Sequence, residues 1–151
     1  MKTALLTALA EAGEQLGRVR PIFVKLAPDL HPGDVEAVLA VMVEVGAQGV
    51  ILSNTTLGRD RLRASARLTS EAGGLSGTPL LVRTRGAVRR ARQLVGDRLA
   101  IVASGGIGSG SDAAELIGAG ADLVQLWTGL VYAGPGLVGE ATKATWVGPT
   151  G

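Results

Sequence analysis

Short apolar runs alternate along this chain with longer segments whose apolar residues recur every three or four positions. The short runs are typical of buried strands, and they cover residues 21–26, 49–53, 101–103 and 123–127. The longer segments are typical of helices with one apolar face, and they cover residues 2–16, 35–45, 80–95 and 113–118. We expect Asp34 to cap the second helix and Gly46 to end it. The pattern therefore predicts an α/β protein.

The order of these elements also predicts the topology of the sheet. Strands that alternate with helices form parallel βαβ units with right-handed crossovers. A complete parallel β/α (TIM) barrel has eight such units in about 250 residues, whereas this chain has 151 residues and about four units. We therefore predict half of such a barrel, formed by residues 1–140. Residues 141–151 lose the apolar periodicity, so we expect a poorly ordered tail there.

Two strand-to-helix turns near the end of the chain contain small residues. The first has the sequence SGGIGSGSD at residues 104–112, where glycines allow a close approach to a ligand and Ser111 or Asp112 is expected to cap the next helix. The second has the sequence WTG at residues 127–129. The last two such loops of a β/α barrel form a phosphate site, so the pair indicates phosphate binding. The alternative is that these glycines only make tight turns.

Composition and charge exclude several kinds of site. The chain has no cysteine, which excludes disulfides, thiolate metal sites and a cysteine nucleophile. Its single histidine, His31, excludes a multi-histidine metal site and is expected in an ordinary loop. The formal charge of +2 is too small for a nucleic-acid surface, and the arginine-rich run at residues 83–92 is typical of a solvated helix face. No apolar run reaches the roughly 18 residues of a membrane span.

Polar residues at the strand ends carry the candidate chemistry. Lys25 ends an apolar strand, where burial of its charge is costly unless it meets an anion such as an electron-accepting ring; alternatively, it reaches water. Asn54 is suited to hydrogen-bond a planar ligand, and Thr55 and Thr56 add hydroxyl groups, although such residues also commonly bond the local backbone. Asp29 is a conceivable base, but a Pro-Asp turn is more often structural. The long polar connection at residues 57–72 is typical of a functional lid.

Five motifs, in order, resemble the second, C-terminal half of dihydroorotate dehydrogenase. They are KLAPDL at residues 25–30, SNTT at 53–56, GGLSGTPL at 73–80, SGGI at 104–107 and GADLVQL at 120–126. The similarity extends over residues 20–137. The combination of KLAPDL with SNTT resembles the quinone-linked, membrane-associated class of the family.

The resemblance implies a barrel that binds FMN and oxidises dihydroorotate to orotate in pyrimidine synthesis, with quinone as the electron acceptor. It implies a set of FMN contacts formed by Lys25, Ser53, Gly77, Gly106, Trp127 and Thr128. Lys25 would lie beside the flavin ring and stabilise its reduced anion. Asn54 and Thr55 would hydrogen-bond the orotate ring. The loops that contain Gly106 and Thr128 would hold the FMN phosphate, in agreement with the phosphate site predicted from the glycine turns.

The chain departs from the family pattern at some positions. The family usually has a tyrosine where Trp127 stands, and a glycine or small apolar residue where Ser104 stands. Its first half, which has no counterpart here, supplies the serine base that takes the substrate proton and the helices that admit quinone and touch the membrane. We therefore expect no catalytic base in this chain and little or no turnover from it. The full-length family lies peripherally on the cytoplasmic side of the cell membrane, whereas this fragment is expected to be soluble or cytoplasmic.

Two alternative functions and one form of assembly follow from the same residues. One alternative is the soluble, fumarate- or NAD-linked class of the same enzyme. The other is a non-catalytic half-barrel that binds a phosphate ligand, for which Lys25→Ala would leave the affinity intact and no yellow flavin spectrum would appear. A half-barrel also leaves two sheet edges unpaired, which predicts self-association.

Overall fold

The computed structural model of the chain describes residues 2–17, 20–59, 62 and 66–146. Its strands are β1 (Phe23–Leu26), β2 (Gly49–Leu52), β3 (Ala100–Ser104) and β4 (Leu123–Gln125). Its helices are α1 (Lys2–Gln15), α2 (Pro32–Glu44), α3 (Ala66–Thr69), α4 (Leu81–Val95), α5 (Gly110–Gly118), α6 (Thr128–Ala133) and α7 (Gly136–Thr145). Short 3₁₀ turns at Thr78–Leu80 and Gly96–Arg98 flank α4.

The strands form one parallel sheet in the order β1-β2-β3-β4. This arrangement confirms the predicted α/β class and parallel topology, although β1, β2 and β4 are shorter than the apolar runs that predicted them. One row of register partners crosses the whole sheet, and it consists of Lys25, Ile51, Val102 and Leu123. Because all strands point the same way, their C-terminal ends and the loops that follow them lie at one edge of the sheet.

One face of the sheet is buried under helices. Its side chains belong to the main core, and they include Leu26, Val50, Leu52, Ile101 and Ala103. Helices α2, α4 and α5 contribute Met42, Val88 and Leu116 to the same core, each with no exposed surface. These helices follow or precede the strands that they cover, as right-handed βαβ crossovers require.

The other face, here called the open face, is much less covered. Strand side chains alternate between the faces, so the row from Lys25 to Leu123 lies on the open face together with Phe23. Phe23 and Leu123 stay 39% and 59% exposed. In a closed barrel this face lines the interior. The chain therefore forms part of a barrel wall with its helices outside.

Helix α2 begins earlier than the sequence pattern predicts. Its cap is His31, whose Nδ1 accepts a hydrogen bond from the Gly33 N–H at 3.2 Å. Asp34 lies in the first turn, so its predicted capping role is wrong, and His31 has a structural role that the loop interpretation missed. Pro32 concealed the start because proline is unfavourable in helix interiors yet suits the first helical position.

Helix α5 also begins earlier than predicted. Ser109 is its cap, and the Ser109 Oγ accepts a hydrogen bond from the Asp112 N–H at 3.2 Å. The prediction of Ser111 or Asp112 as the cap was therefore wrong. The Asp112 carboxylate instead accepts a hydrogen bond from the Gly108 N–H at 2.9 Å. The side chain of Asp112 thus bonds the backbone just before the cap, while its own N–H bonds the cap residue.

The predicted tail does not begin at residue 141. Helix α7 continues to Thr145 and packs on α5, with Leu137 and Ala141 buried at its inner face. This packing supplies the apolar contacts that the sequence pattern of residues 141–145 does not reveal. Residues 147–151, the rest of the expected tail, lie outside the described residues.

Two surface segments have more structure than the sequence predicts, namely the connection after β2 and the arginine run at residues 83–92. Part of the connection at residues 57–72 forms the short helix α3, while residues 60, 61 and 63–65 lie outside the described part. The arginines are paired as well as solvated: Arg85 forms an ion pair with Glu115, and Arg90 forms one with Glu36.

Among the described helices, none combines the length and apolar character needed to cross a membrane.

Candidate functional site

A cleft of about 390 Å³ opens at the C-terminal ends of the strands. This volume lies in the usual range for small-molecule sites, about 300–1,000 Å³. All of the site residues predicted from the sequence line it, namely Lys25, Ser53, Asn54, Thr55, Gly77, Gly106, Trp127 and Thr128. They come from separate strand ends and loops, so the parallel sheet brings together positions that lie more than a hundred residues apart, such as Lys25 and Thr128.

Lys25 lies on the open face of β1 and reaches across the cleft. Its Nζ donates a hydrogen bond to the side-chain carbonyl of Gln125 on β4 at 3.3 Å. Gln125 is a neutral partner, so the ammonium charge is not balanced by a carboxylate in this contact. The lysine is exposed at the cleft, which leaves its charge available to an anionic group.

Ser53 places a hydroxyl group in the wall of the cleft. The residue is only 4% exposed, and its Oγ has no hydrogen-bond partner among the described residues. Its N–H donates to the Ser104 carbonyl oxygen at 2.6 Å, which fixes the backbone beside the end of β3. A buried hydroxyl without a partner is costly, so a ligand that supplies one is favoured at this point.

Asn54 and Thr55 follow Ser53 on the turn after β2. The Asn54 N–H donates to the Leu26 carbonyl oxygen at 2.9 Å, and the Asn54 Oδ1 accepts from the Thr55 N–H at 2.9 Å. The local backbone bond considered as an alternative is therefore present. It uses one acceptor position of an amide that still lines the cleft.

Gly106 marks the place where the backbone forms the cleft wall. Its φ is +89°, and a Cβ at this position would lie 2.3 Å from the Leu81 nitrogen. Only glycine fits such a turn without moving the start of α4. Opposite this turn, the Thr128 hydroxyl donates to the Ser76 Oγ at 2.9 Å, which ties the loop of Gly77 to the loop after β4.

Trp127 ends the strand region of β4 and precedes α6. Its side chain is 80% exposed, so it contributes no packing to the core. The backbone of Trp127 and Thr128 runs along the cleft. The departure from tyrosine at this position therefore falls on a side chain that the fold does not depend on.

Some lining residues were not singled out in the sequence. Gln125, Ser76 and Gly129 also face the cleft. Gln125 carries the same signal that selected Lys25, a polar residue near the end of an apolar strand, and this rule applied to β4 would have found it. Asp29 lies outside the cleft lining, and no group of three or more His, Cys, Asp or Glu side chains in the described part of the chain is placed to hold a metal ion.

Asp29 has a structural environment. Its Oδ1 accepts from the Thr56 hydroxyl at 2.5 Å, and its Oδ2 accepts from the Leu57 N–H at 2.8 Å. These hydrogen bonds, first that of Thr56, and the nearby Arg83 guanidinium lower the pKa of Asp29 below its ordinary value. The structural interpretation of the Pro-Asp turn is thus favoured over a role as a base.

Comparison with known proteins identifies similar chains. The profile of a family described as dihydroorotate dehydrogenase matches residues 1–144, a wider range than the motifs span. A "dihydroorotate dehydrogenase (quinone)" from Acidovorax sp. (strain JS42) is 46% identical over 144 residues, covering 93% of this chain and 41% of the relative. One of the same name from Chloroflexus aurantiacus (strain J-10-fl) is 44% identical over 147 residues, with coverages of 93% and 40%.

Solved structures give the same picture. A ligand-free DHODH from Eimeria tenella matches with a TM-score of 0.78 and 36% identity, covering 85% of this chain and 35% of that one. The ferulenol complex of DHODH from the same organism matches with a TM-score of 0.77 and 36% identity, with coverages of 84% and 34%. The chain thus spans well under half the length of these relatives, and its fold corresponds to one part of their barrel.

Proposed function

This chain belongs to the dihydroorotate dehydrogenase family, and from that premise we propose that it forms the FMN- and orotate-binding part of a quinone-dependent enzyme of pyrimidine synthesis. The observation that carries the proposal is the convergence of all the predicted site residues on one cleft. The complete enzyme oxidises dihydroorotate to orotate. The quinone-type names of similar chains favour this class over the soluble, fumarate- or NAD-linked class.

The cleft fits FMN in three respects. The Ser53 Oγ is buried and has no hydrogen-bond partner in the described part of the chain, which suits a polar edge of a ring. The turn at Gly106 presents backbone in place of side chain, which suits close contact with a phosphate. Lys25 brings a positive charge to the same space. FMN, when bound, supplies the hydride acceptor for the reaction.

Each residue of this chain then has a defined task. The Lys25 ammonium stabilises negative charge on the flavin ring, and Ser53 hydrogen-bonds the flavin. The backbone at Gly77, Gly106, Trp127 and Thr128 holds FMN. The loops that contain Gly106 and Thr128 contact its phosphate. Asn54 and Thr55 hydrogen-bond the orotate ring and orient it.

Removal of the substrate proton is assigned to a group outside this chain. The described cleft lining includes three serines, Ser53, Ser76 and Ser104, but the resemblance places the serine base of the family in its first half, which has no counterpart here. The lining includes no carboxylate, histidine, cysteine or tyrosine, and its one ammonium group is assigned to the flavin. A missing general base lowers a rate by about 10²- to 10⁴-fold. We therefore expect turnover of dihydroorotate by this chain to lie at least about a hundredfold below that of complete enzymes.

The open face and the edges of the sheet bear on assembly. Strands β1 and β4 each have one unpaired edge within the described sheet. The two edge strands point in the same direction, because every neighbouring pair in the sheet is parallel. We propose that two copies associate through these edges and cover the apolar residues of the open face. We propose the use of quinone as electron acceptor, and peripheral contact with the cytoplasmic side of the cell membrane, for the complete enzyme alone.

Flavin binding tests the proposal directly. The purified chain is titrated with FMN and, as a control without the phosphate, with riboflavin, while flavin fluorescence and absorbance are recorded. We expect a yellow complex that survives gel filtration, a weaker one with riboflavin, and a shift of the flavin spectrum on adding orotate. Retention of inorganic phosphate without any flavin would favour the non-catalytic phosphate-binding half-barrel instead.

A further inference from the structure

Thr56 is the centre of a hydrogen-bond network beside the cleft. The residue is 3% exposed, and its hydroxyl donates to Asp29 while accepting from Arg83 Nη1 at 2.8 Å and from the Gly58 N–H at 3.0 Å. A hydroxyl has one donor and two acceptor positions, so all three are used. Thr56 itself does not line the cleft, but Asn54 and Thr55 directly before it do.

The backbone of Thr56 is held as firmly as its side chain. The Thr56 N–H donates to the Leu75 carbonyl oxygen at 3.1 Å, and the Leu75 N–H donates back at 2.8 Å. Arg59 Nη1 donates to the Thr56 carbonyl oxygen at 3.0 Å, and its Nη2 donates to the Gly73 carbonyl oxygen at 2.6 Å. The turn after β2 is thereby fastened to the segment at residues 73–75.

That segment supports the side chain of Thr55. A Cβ added to Gly74 would lie 2.0 Å from the Thr55 Oγ1, so the threonine packs directly on the glycine backbone. Any displacement of residues 73–75 therefore reaches Thr55. The hydrogen bonds of Thr56 and Arg59 are thus connected, through residues 73–75, to the ligand-facing Thr55.

We propose that Asp29, Thr56, Arg59 and Arg83 form a positioning clamp that holds Asn54 and Thr55 in the orientation needed to bind orotate. Arg83 comes from α4 and Asp29 from the loop after β1, so the clamp joins three separate parts of the fold across the turn. None of its members touches the cleft. The proposal rests on the proposed function for its ligand, whereas the clamp itself is a property of the ligand-free chain.

The test compares two arginines of the same helix. Arg83→Gln removes the ion pair with Asp29, and Arg90→Gln removes an ion pair with Glu36 away from the cleft. Thr56→Val removes the central hydroxyl without changing shape, and Thr56→Ser restores it. For each variant, hydrogen exchange of the amides at residues 53–57 is measured on the ligand-free chain, and orotate and FMN affinities are then measured separately.

We expect Arg83→Gln and Thr56→Val to speed amide exchange and weaken orotate binding by about tenfold, with FMN affinity within about twofold of wild type. Arg90→Gln and Thr56→Ser should remain near wild type. Unchanged exchange and orotate affinity in Arg83→Gln would refute the clamp, as would an equal loss of both ligands. If the wild-type chain binds neither ligand, the proposed function fails, while the exchange rates still decide whether the clamp exists.

Discussion

The Lys25 ammonium donates a hydrogen bond to the Gln125 side chain at 3.3 Å, although the two residues stand on opposite edge strands of the sheet. In a flat sheet, strands three positions apart are separated by about 14 Å. The two side chains meet at this distance because the sheet curls toward its open face, as a barrel wall does. This curvature brings all the strand ends to one cleft.

Replacement of Lys25 tests the charge at the centre of the cleft. Lys25→Met keeps the length of the side chain and removes its charge, so we expect FMN to bind about tenfold more weakly. Reduced FMN should lose more affinity than oxidised FMN, because only the reduced ring carries negative charge. Lys143→Met, on the exposed side of α7, serves as the control. Equal affinities for wild type and Lys25→Met would support the phosphate-only alternative.

Two buried hydroxyl groups without partners allow a matched comparison. Ser53 lines the cleft and Thr84 does not, and the Oγ atoms of both lack hydrogen-bond partners among the described residues. We expect Ser53→Ala and Thr84→Val each to raise the free energy of unfolding of the ligand-free chain by about 1 kcal/mol in urea. Only Ser53→Ala should weaken FMN binding, by about three- to tenfold. A similar loss of FMN affinity in Thr84→Val would contradict the assignment of Ser53.

Gly106 and Gly86 should respond to alanine in opposite directions. Gly106→Ala adds a Cβ against the Leu81 backbone at a positive φ, and should lower the free energy of unfolding by about 2–4 kcal/mol. Gly86 lies in the exposed interior of α4, and apart from the adjacent backbone of its own helix no atom of the described residues lies within 4 Å of its Cβ position. Gly86→Ala should therefore raise the free energy of unfolding by about 0.5–1 kcal/mol. Urea unfolding measures both. A neutral Gly106→Ala would show that the turn is not constrained.

The lowered pKa of Asp29 predicts how stability depends on pH. Its ordinary value is 3.8, and hydrogen bonds from Thr56 and Leu57 with the Arg83 charge lower it in the folded chain. The stabilisation by its carboxylate is therefore present above the ordinary value and is lost as the pH falls through the lower, folded value.

Asp29→Asn should remove this dependence. Wild type is expected to be the more stable chain at neutral pH, and the difference should shrink as the pH drops below about 4. Urea unfolding at a series of pH values provides the measurement. Curves that stay parallel down to the lowest pH would show that Asp29 does not cause the acid sensitivity.

Self-association should depend on the open face. Leu123 on edge strand β4 and Val82 on the outer side of α4 are 59% and 58% exposed, so they form a matched pair. We expect Leu123→Lys to shift the chain to a monomer in size-exclusion chromatography, because a charge on an edge strand opposes pairing. Val82→Lys should elute as wild type does. A monomeric wild type at high concentration would contradict association through the edges.

The positions of the cleft residues were predictable because parallel strands impose them. Lys25 and Asn54 were selected as polar residues at the ends of apolar runs, and the sheet places both at the same edge. Gln125 on β4 also lines the cleft, so the selection of polar residues near strand ends would have found it as well. The chemical roles of these residues follow from family resemblance and stay predictions until a ligand is measured.

Other features were not predictable because they depend on contacts distant in sequence. The sequence does not distinguish Thr56 from Thr55, yet Thr56 is buried and hydrogen-bonded to Asp29 and Arg83 from another loop and a helix. Helix α7 continues to Thr145 because it packs on α5. The spacing of apolar residues along the chain does not indicate this contact. Local preferences favoured Asp34 over His31 as a cap, because Asp is a common cap residue, whereas the structure uses His31 directly before Pro32.

The open face has a consequence for the heat capacity of the monomer. Apolar side chains such as Phe23 and Leu123 already meet water in the folded chain. Unfolding a monomer therefore exposes less new apolar surface than unfolding a closed domain of the same size, for which the heat-capacity change is about 12–15 cal/mol/K per residue. The monomer should fall below that value, so its stability varies less steeply with temperature.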